Sequence, residues 1–363
     1  MITDVRVQVL DPAPVAIVAP RFSISSVHNV LVEMDDDSGT TGIAYGYVFD
    51  PYAAAAVEQL LVGFGAAYVG EVADDVRQIH DHLLVKKVNF LGMRGMARLA
   101  ASVLDMAAWD LLCRLRSTNL MGLFGCHSDS IPTFTASGLW AGIEPEECAR
   151  IAVEVAEDFG TPFAKIWVNS HDFGFEYERV AAVKEALGPE GGVIVDAAQA
   201  YDWRTVAKLA DRLAPLEPLW FEDPVSYEDL PGLEAFARDA PMDVGVGEHM
   251  YGIDHLKQHL DMGVLAHMVL DLERIGGITD YLAAATLCEA YGVGLASHCY
   301  PHVAAQVLAT SPAASWCELA PLWDGLFGRS DVHDGRIHVD LERVGTGLDL
   351  LPGVVAAAAS ASA

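Results

Sequence analysis

The sequence predicts an α/β chain in which an α+β capping domain precedes a parallel β/α barrel. Two observations carry this. Between residues 192 and 250, the apolar runs "GVIVDAAQ", "PLWFEDPV" and "DVGVGEHM" carry acidic residues at their ends, Asp196, Glu222 and Glu248. The segments that separate them, "RTVAKLADRL" and "EDLPGLEAFARD", have helical spacing. A strand, a carboxylate at its C-terminal tip and a helix, repeated, is the rhythm of a barrel whose strand tips share one mouth.

Length and composition narrow the options. The 363 residues allow one large or two medium domains with a substantial core. A hydrophobic fraction of 52% fits a packed globular enzyme. The formal charge of −29, from 51 acidic against 22 basic residues, excludes nucleic acid and an anionic membrane surface as partners. It also creates a local need for a cation wherever acids cluster. Cys113, Cys126, Cys148, Cys288, Cys299 and Cys317 form no Cys-x-x-Cys pair, so reduced thiols in a cytoplasmic protein are expected. The start, "MITDVRVQVL", has no basic region leading into an apolar run, so no signal peptide is expected. "AAAAVEQLLVGFGAAYVG" is interrupted by Glu58 and Gln59 and reads as a buried helix ending in a loop, not a membrane span.

In chain order, residues 3–10 alternate as a strand, and "HNVLVEM" and "TGIAYGYVF" flank the turn-rich "DDDSG" as a hairpin. Helices are expected at 53–62 and 71–84. "GMARLAASVLDMAAWDLLCRL" is apolar on nearly every face, as a helix buried between layers must be. This first part, 1–125, reads as the capping domain. The barrel is expected over 126–322, with strands at 131–136, 163–168, 193–196, 218–222, 243–247, 267–271, 293–297 and 315–318. No ordinary helix follows Glu318. Residues 323–363 read as short strands and turns returning to the cap, and the terminal "VVAAAASASA" as a frayed tail.

The chemistry sits at the strand tips. Three convergent carboxylates repel one another unless a hard divalent cation lies between them, so Asp196, Glu222 and Glu248 read as magnesium ligands. Capping or loop carboxylates would explain one such residue better than three at matching positions. On the second strand, "FAKIWV" places Lys165 and Trp167 on one face. The sixth ends in Asp271, the seventh in His298 and the eighth in Glu318. His298 alone would read as a structural histidine. With Asp271 one strand earlier, it reads as a dyad in which the carboxylate fixes the tautomer and raises the ring's basicity. His255 and His259, one turn apart without a metalloprotease glutamate, read as a solvated helix face. His80 and His82 point apart, and "VGFGAAYVG" follows a helix and so is no phosphate loop. His249, beside Glu248, reads at most as a support for that ligand and is assigned no role of its own.

With those residues in place, the chain resembles the enolase superfamily and, within it, the mandelate racemase subgroup. The resemblance runs over nearly the whole length and includes "LDMAAWD", "DLERIGGIT" and "LASHCYPHVAAQVLA". It implies a modified (β/α)7β TIM barrel with a capping domain, a Mg2+ cofactor and a small carboxylate substrate. It also implies a symmetric homo-oligomer, often an octamer. By position, Asp196, Glu222 and Glu248 match the family's metal ligands, and Asp271 and His298 its dyad. Glu318 matches the acid that bonds the substrate carboxylate. Lys165 matches the first lysine of the Lys-x-Lys motif. Covers over the mouth, by analogy with the subgroup, are the loop at 20–23 and "VFDPY" at 48–52, with Phe22, Trp140 and Trp167 as an apolar wall against the substrate.

Two departures bear on the reaction. Trp167 stands where the family has its second lysine, and an indole exchanges no proton at neutral pH. Ala198 stands where an asparagine often follows the first ligand. The expectation is Mg-dependent removal of the proton α to a carboxylate by His298, followed by β-elimination of water, as in acid-sugar dehydratases. The alternative is a racemase or epimerase of a 2-hydroxy acid, with Lys165 as second base if its apolar neighbour lowers its pKa. A non-catalytic carboxylate-binding barrel is the remote alternative.

Overall fold

The computed structural model describes residues 1–19 and 22–354. Four strands come first: β1 (Ile2–Val9), β2 (Ala13–Ala19), β3 (Phe22–Asp36) and β4 (Thr41–Val48). β3 is the spine of an antiparallel sheet. Its first half pairs with β2 and its second half with β1 and β4. The β3–β4 hairpin turns over the expected "DDDSG", where Asp36 accepts from Ser38 and Thr40. β2 was not expected as a strand. Pro12 and Pro14 argue against a central strand, but β2 is an edge strand and tolerates proline.

A helix at Pro51–Gly65 starts at Asp50, whose side chain accepts from the Tyr52 and Ala53 amides. The helix expected at 71–84 begins later, at Val76, and runs on past Leu83 as a π-turn, Leu84–Val88. Residues 70–71 are drawn instead onto β1, where Ile2 N–H donates to Glu71 O and Gly70 N–H to Ile2 O. The helix Met96–Leu115 is buried on most faces, as predicted. It lies against β4 because Gly42 leaves room: a Cβ there would come within 2.5 Å of Ala107 O and Leu111 Cβ. Its Asp105 accepts from the Thr279 amide at 2.9 Å and hydroxyl at 2.5 Å, tying this helix to the barrel wall.

The barrel strands follow: β5 (Ser130–Thr135), β6 (Phe163–Trp167), β7 (Gly192–Asp196), β8 (Phe221–Glu222), β9 (Val244–Val246), β10 (His267–Asp271), β11 (Gly294–His298) and β12 (Ala314–Leu319). They lie parallel in sequence order, and β12 closes on β5 with Cys317 opposite Thr133. All eight expected strands are present. The short hairpin of β13 (Val332–His333) and β14 (Arg336–His338) adds antiparallel to the start of β5. The hairpin itself joins the barrel, while the segment around it meets the N-terminal part of the chain: Trp323 Nε1 donates to Asn29, Thr346 N–H to Asp110 and Arg114 to Leu348 O. The tail from 355 onward lies outside the described residues.

His255 and His259 also differ from expectation. They are buried, packed edge to face at 4.9 Å, and burial holds His255 down to about 4. They are a neutral core pair. His80 is buried and His82 exposed, as expected of residues pointing apart. Among the described residues, no helix is long and apolar enough to cross a membrane.

Candidate active site

Strand register brings the expected residues to one rim. Trp167, Asp196 and Glu222 are cross-strand neighbours on β6, β7 and β8, and Asp271 lies opposite His298 on β10 and β11. Glu248 sits just beyond β9, and Glu318 on β12 lies opposite Phe134. A cavity of about 840 Å3 opens over them, touching Lys165, Asp196, Glu248, His298 and Glu318.

Lys165 is the hub of one side. Its Nζ lies 2.6 Å from Glu222 Oε1, 3.1 Å from Glu318 Oε1 and 3.6 Å from Asp196 Oδ2. Burial would depress this lysine, but Glu222, Glu318 and Asp196 outweigh burial and hold it well above its ordinary value. The sequence-level idea of a low-pKa Lys165 is thereby corrected: desolvation acts as expected, and three carboxylates overcome it.

His298 is the hub of the other. Its Nδ1 lies 2.8 Å from Asp271 Oδ2, and its Nε2 lies 3.1 Å from Glu248 Oε2. Burial would lower the ring's pKa, yet Cys299, Glu318, Glu248 and Asp271 together raise it well above the ordinary value. Asp271 is fixed on three further sides. Its Oδ1 accepts from the Arg274 amide at the start of a short helix, Leu272–Ile275, its Oδ2 accepts from the Tyr47 hydroxyl at 3.0 Å, and the Arg274 guanidinium lies 3.6 Å away. Burial opposes ionisation of Asp271, but Arg274 and His298 keep its pKa low.

The three expected metal ligands are shared between these hubs. Lys165 draws Asp196 and Glu222, whereas Glu248 faces His298 and, at 2.9 Å, His249 Nδ1. The tightest acidic groupings among the described residues are therefore Asp223–Glu248–His249 and Asp271–His298–Cys299, with ligand atoms within 4.8 Å. The donor set nonetheless fits a hard divalent ion. Burial, with mutual repulsion added, pushes the Asp196 carboxyl well above its ordinary value despite Lys165, and Glu222 is raised in the same way. Carboxylates that Lys165 cannot fully compensate supply the all-oxygen shell that magnesium takes. Supporting donors fix two of them: Trp220 Nε1 donates to Glu222 Oε2 at 3.0 Å and Ala198 N–H to Asp196 Oδ1 at 2.7 Å.

Trp140 and Trp167 both line the cavity and are half-buried. Of the expected covers, Phe49 lines it, whereas Asp50 caps a helix and Tyr52 is exposed. Phe22 begins β3 in its backbone, but its side chain and the loop tip at 20–21 lie outside the described residues.

Sequence reading missed Tyr47, Gln199, Asp223, Arg274 and Cys299 and gave His249 no role of its own. Gln199 bridges Asp223 and His249 through its amide, at 3.2 and 2.9 Å, and Cys299 N–H donates to Glu318 Oε2 at 2.8 Å. Ala198, Gln199, Asp223, Cys299 and Tyr300 all have positive φ between 42° and 60°. Such strain in non-glycine residues concentrates at functional sites and leaves no trace in a hydrophobic pattern. Adjacency to Glu222 was the one available clue for Asp223.

Comparison with known proteins agrees with this geometry. Residues 1–125 match the mandelate racemase / muconate lactonizing enzyme N-terminal domain, and residues 147–354 the enolase C-terminal domain-like family. The L-talarate/galactarate dehydratase of Salmonella typhimurium is 28% identical over 284 residues, 78% of this chain and 70% of that one. A racemase from Streptomyces coelicolor, solved with bound magnesium, is 25% identical with a TM-score of 0.90, covering 96% of this chain and 97% of the other. The L-talarate dehydratase from Polaromonas, solved with Mg and L-glucarate, is 25% identical with a TM-score of 0.88, covering 98% and 96%. The chain belongs to the enolase superfamily, in its mandelate racemase / muconate lactonizing enzyme family.

Proposed function

We propose that this protein is a magnesium-dependent lyase that removes the α-proton of a 2,3-dihydroxy carboxylate and expels the β-hydroxyl as water. The observation that carries the proposal is the Asp271–His298 pair, 2.8 Å apart, at the floor of a cavity whose other walls offer no second base in Trp167's position. Asp196, Glu222 and Glu248 would hold Mg2+, which when bound supplies positive charge for the substrate carboxylate and the enolate derived from it.

The chain's own residues do the rest. Asp271 holds the His298 ring through Nδ1, and Nε2, 3.1 Å from Glu248 in this structure, would accept the α-proton once Glu248 turned to the metal position. Lys165, paired with Glu318 at 3.1 Å, holds a positive charge beside the carboxylate oxygens, where negative charge grows. The C2–H electron pair first delocalises onto the carboxylate oxygens as the enolate, then returns to form the C2–C3 double bond as the C3–O bond breaks. His298 returns its proton to the departing hydroxyl, and the released enol becomes a 2-keto acid. Racemisation needs acid–base groups on both faces. Trp167 supplies none, and Lys165 is engaged by three carboxylates.

A cytoplasmic setting is part of the same proposal and is supported by six free thiols. Self-association in a symmetric assembly also belongs to it, and light scattering tests that part.

The test is a panel of 2-hydroxy and 2,3-dihydroxy acids offered to the Mg-loaded protein. Semicarbazide-reactive 2-keto acid is the expected product. Solvent deuterium at C2 with loss of optical rotation and no keto acid would instead establish a racemase, and neither signal from any acid would refute enolate chemistry.

A further inference from the structure

The cavity is charged at its floor and apolar elsewhere. Trp140 and Trp167 form one wall, and Ile17, Ile24, Phe49 and Leu322 cover it. The two indoles meet edge to face, with centroids 5.3 Å apart and planes at 69°.

Behind them lies a buried ion pair that the elimination chemistry does not use. Arg179, on the helix Phe173–Leu187, is fully buried and pairs with Glu176 at 2.6 Å. Its Nη2 donates to Trp140 O at 2.6 Å, its Nη1 to Trp167 O at 2.9 Å and its Nε to Ile143 O at 2.8 Å. Glu176 in turn accepts from the amides of Asn169 and Ser170, at 3.1 and 2.8 Å. Burying such a pair is costly unless its geometry is fully satisfied. Here every nitrogen is engaged, and the result is that two separate strand-end segments, each carrying one indole, are clamped to a single guanidinium.

The cationic and basic groups of the floor are committed. Lys165 and His298 face carboxylates, His249 faces Glu248, and Arg274 donates to Glu248 O. Among the described residues, the cavity therefore offers a second carboxylate no cation of its own. A polyhydroxy diacid would turn its far end toward indole and aliphatic carbon, losing hydrogen bonds to water without replacement.

Building on the enolate reading of the same site, we propose that the Trp140–Trp167 pair, clamped by Arg179, is a specificity platform for an aryl or branched alkyl group. That group sits at the distal end of a monocarboxylate substrate.

The experiment uses the Mg-loaded full chain and two probes, 3-phenyllactate, which has no β-hydroxyl to lose, and galactarate. Calorimetry should show phenyllactate binding the tighter. Trp140→Ala should weaken it about 10- to 100-fold, the range one hydrophobic contact commands. Trp140→Phe should restore most of the loss, and melting curves on both variants confirm folding. Turnover of 2,3-dihydroxy-3-phenylpropanoate should yield phenylpyruvate and water. Tighter binding of galactarate, unchanged by Trp140→Ala, overturns the platform. The two readings fail separately. Aryl-selective, tryptophan-dependent binding without keto acid or deuterium exchange sinks the elimination chemistry alone, whereas keto acid from galactarate with weak aryl binding sinks the platform alone.

Discussion

The hydroxyl of Tyr47 donates to Asp271 Oδ2 at 3.0 Å, and the same oxygen faces His298 Nδ1 at 2.8 Å. Tyr47 belongs to β4 of the N-terminal sheet, so the sheet supplies part of the dyad's geometry as well as covering the barrel mouth. We assign Tyr47 a positioning role. Tyr47→Phe should lower kcat about 10- to 100-fold with KM little changed, because a hydrogen bond to a charged acceptor is worth roughly 1.5–3 kcal/mol. A purely structural role would lower the melting temperature and leave kcat intact, so both are measured.

Replacing His298 by Asn keeps a polar group of similar reach but removes the proton acceptor. Turnover should fall by at least the ~10²–10⁴-fold that general base catalysis contributes, while calorimetric magnesium affinity stays close to that of the parent. Retained turnover would assign the α-proton to another group.

Metal removal should weaken the fold. Asp196 and Glu222 are buried beside one lysine that cannot fully compensate them, so a divalent ion that binds only the folded chain stabilises it by mass action. At 100 times its Kd the gain is about 2.7 kcal/mol. Scanning calorimetry with Mg2+ and then with a chelator should show a reversible shift of the melting temperature. An unchanged transition argues against the carboxylate set as the metal site.

Glu273 gives a pH signature away from the metal ligands. Burial and the neighbouring Asp271 raise its carboxyl to about 8, although Tyr300 donates to it at 3.0 Å. The folded chain thus keeps a proton that the unfolded chain loses near the ordinary glutamate value of about 4.3. Unfolding releases that proton between the two values, so stability falls as pH rises through this window and levels off above about 8. Glu273→Gln removes the penalty. Urea titrations should find the variant more stable than the parent at pH 8 by up to a few kcal/mol, with the gap closing toward pH 5.

Much of the site was legible because a parallel barrel converts strand endings into neighbours. Asp196 and Glu222, 26 residues apart in the sequence, become partners through the register of β7 and β8, and Asp271 and His298 do the same through β10 and β11. Each is the polar residue that ends an apolar run, a signal that one-dimensional periodicity carries well. Tyr47, Arg179 and Gln199 carried no such mark. Tyr47 lies 224 residues from Asp271, Arg179 acts through backbone carbonyls, and Gln199 depends on a left-handed backbone at φ 60°.

By itself the sequence determined the barrel, the long buried helix and the identity of the acids and the histidine at its rim, since apolar period and strand endings are local properties. Only the tertiary structure decided how those charges share one another, with Lys165 held by three carboxylates and Glu248 turned to two histidines. It also decided which side of the cavity is apolar. Pairing of charges and the shape of a wall depend on distances between chain segments remote in sequence, and those distances exist only once the barrel has closed.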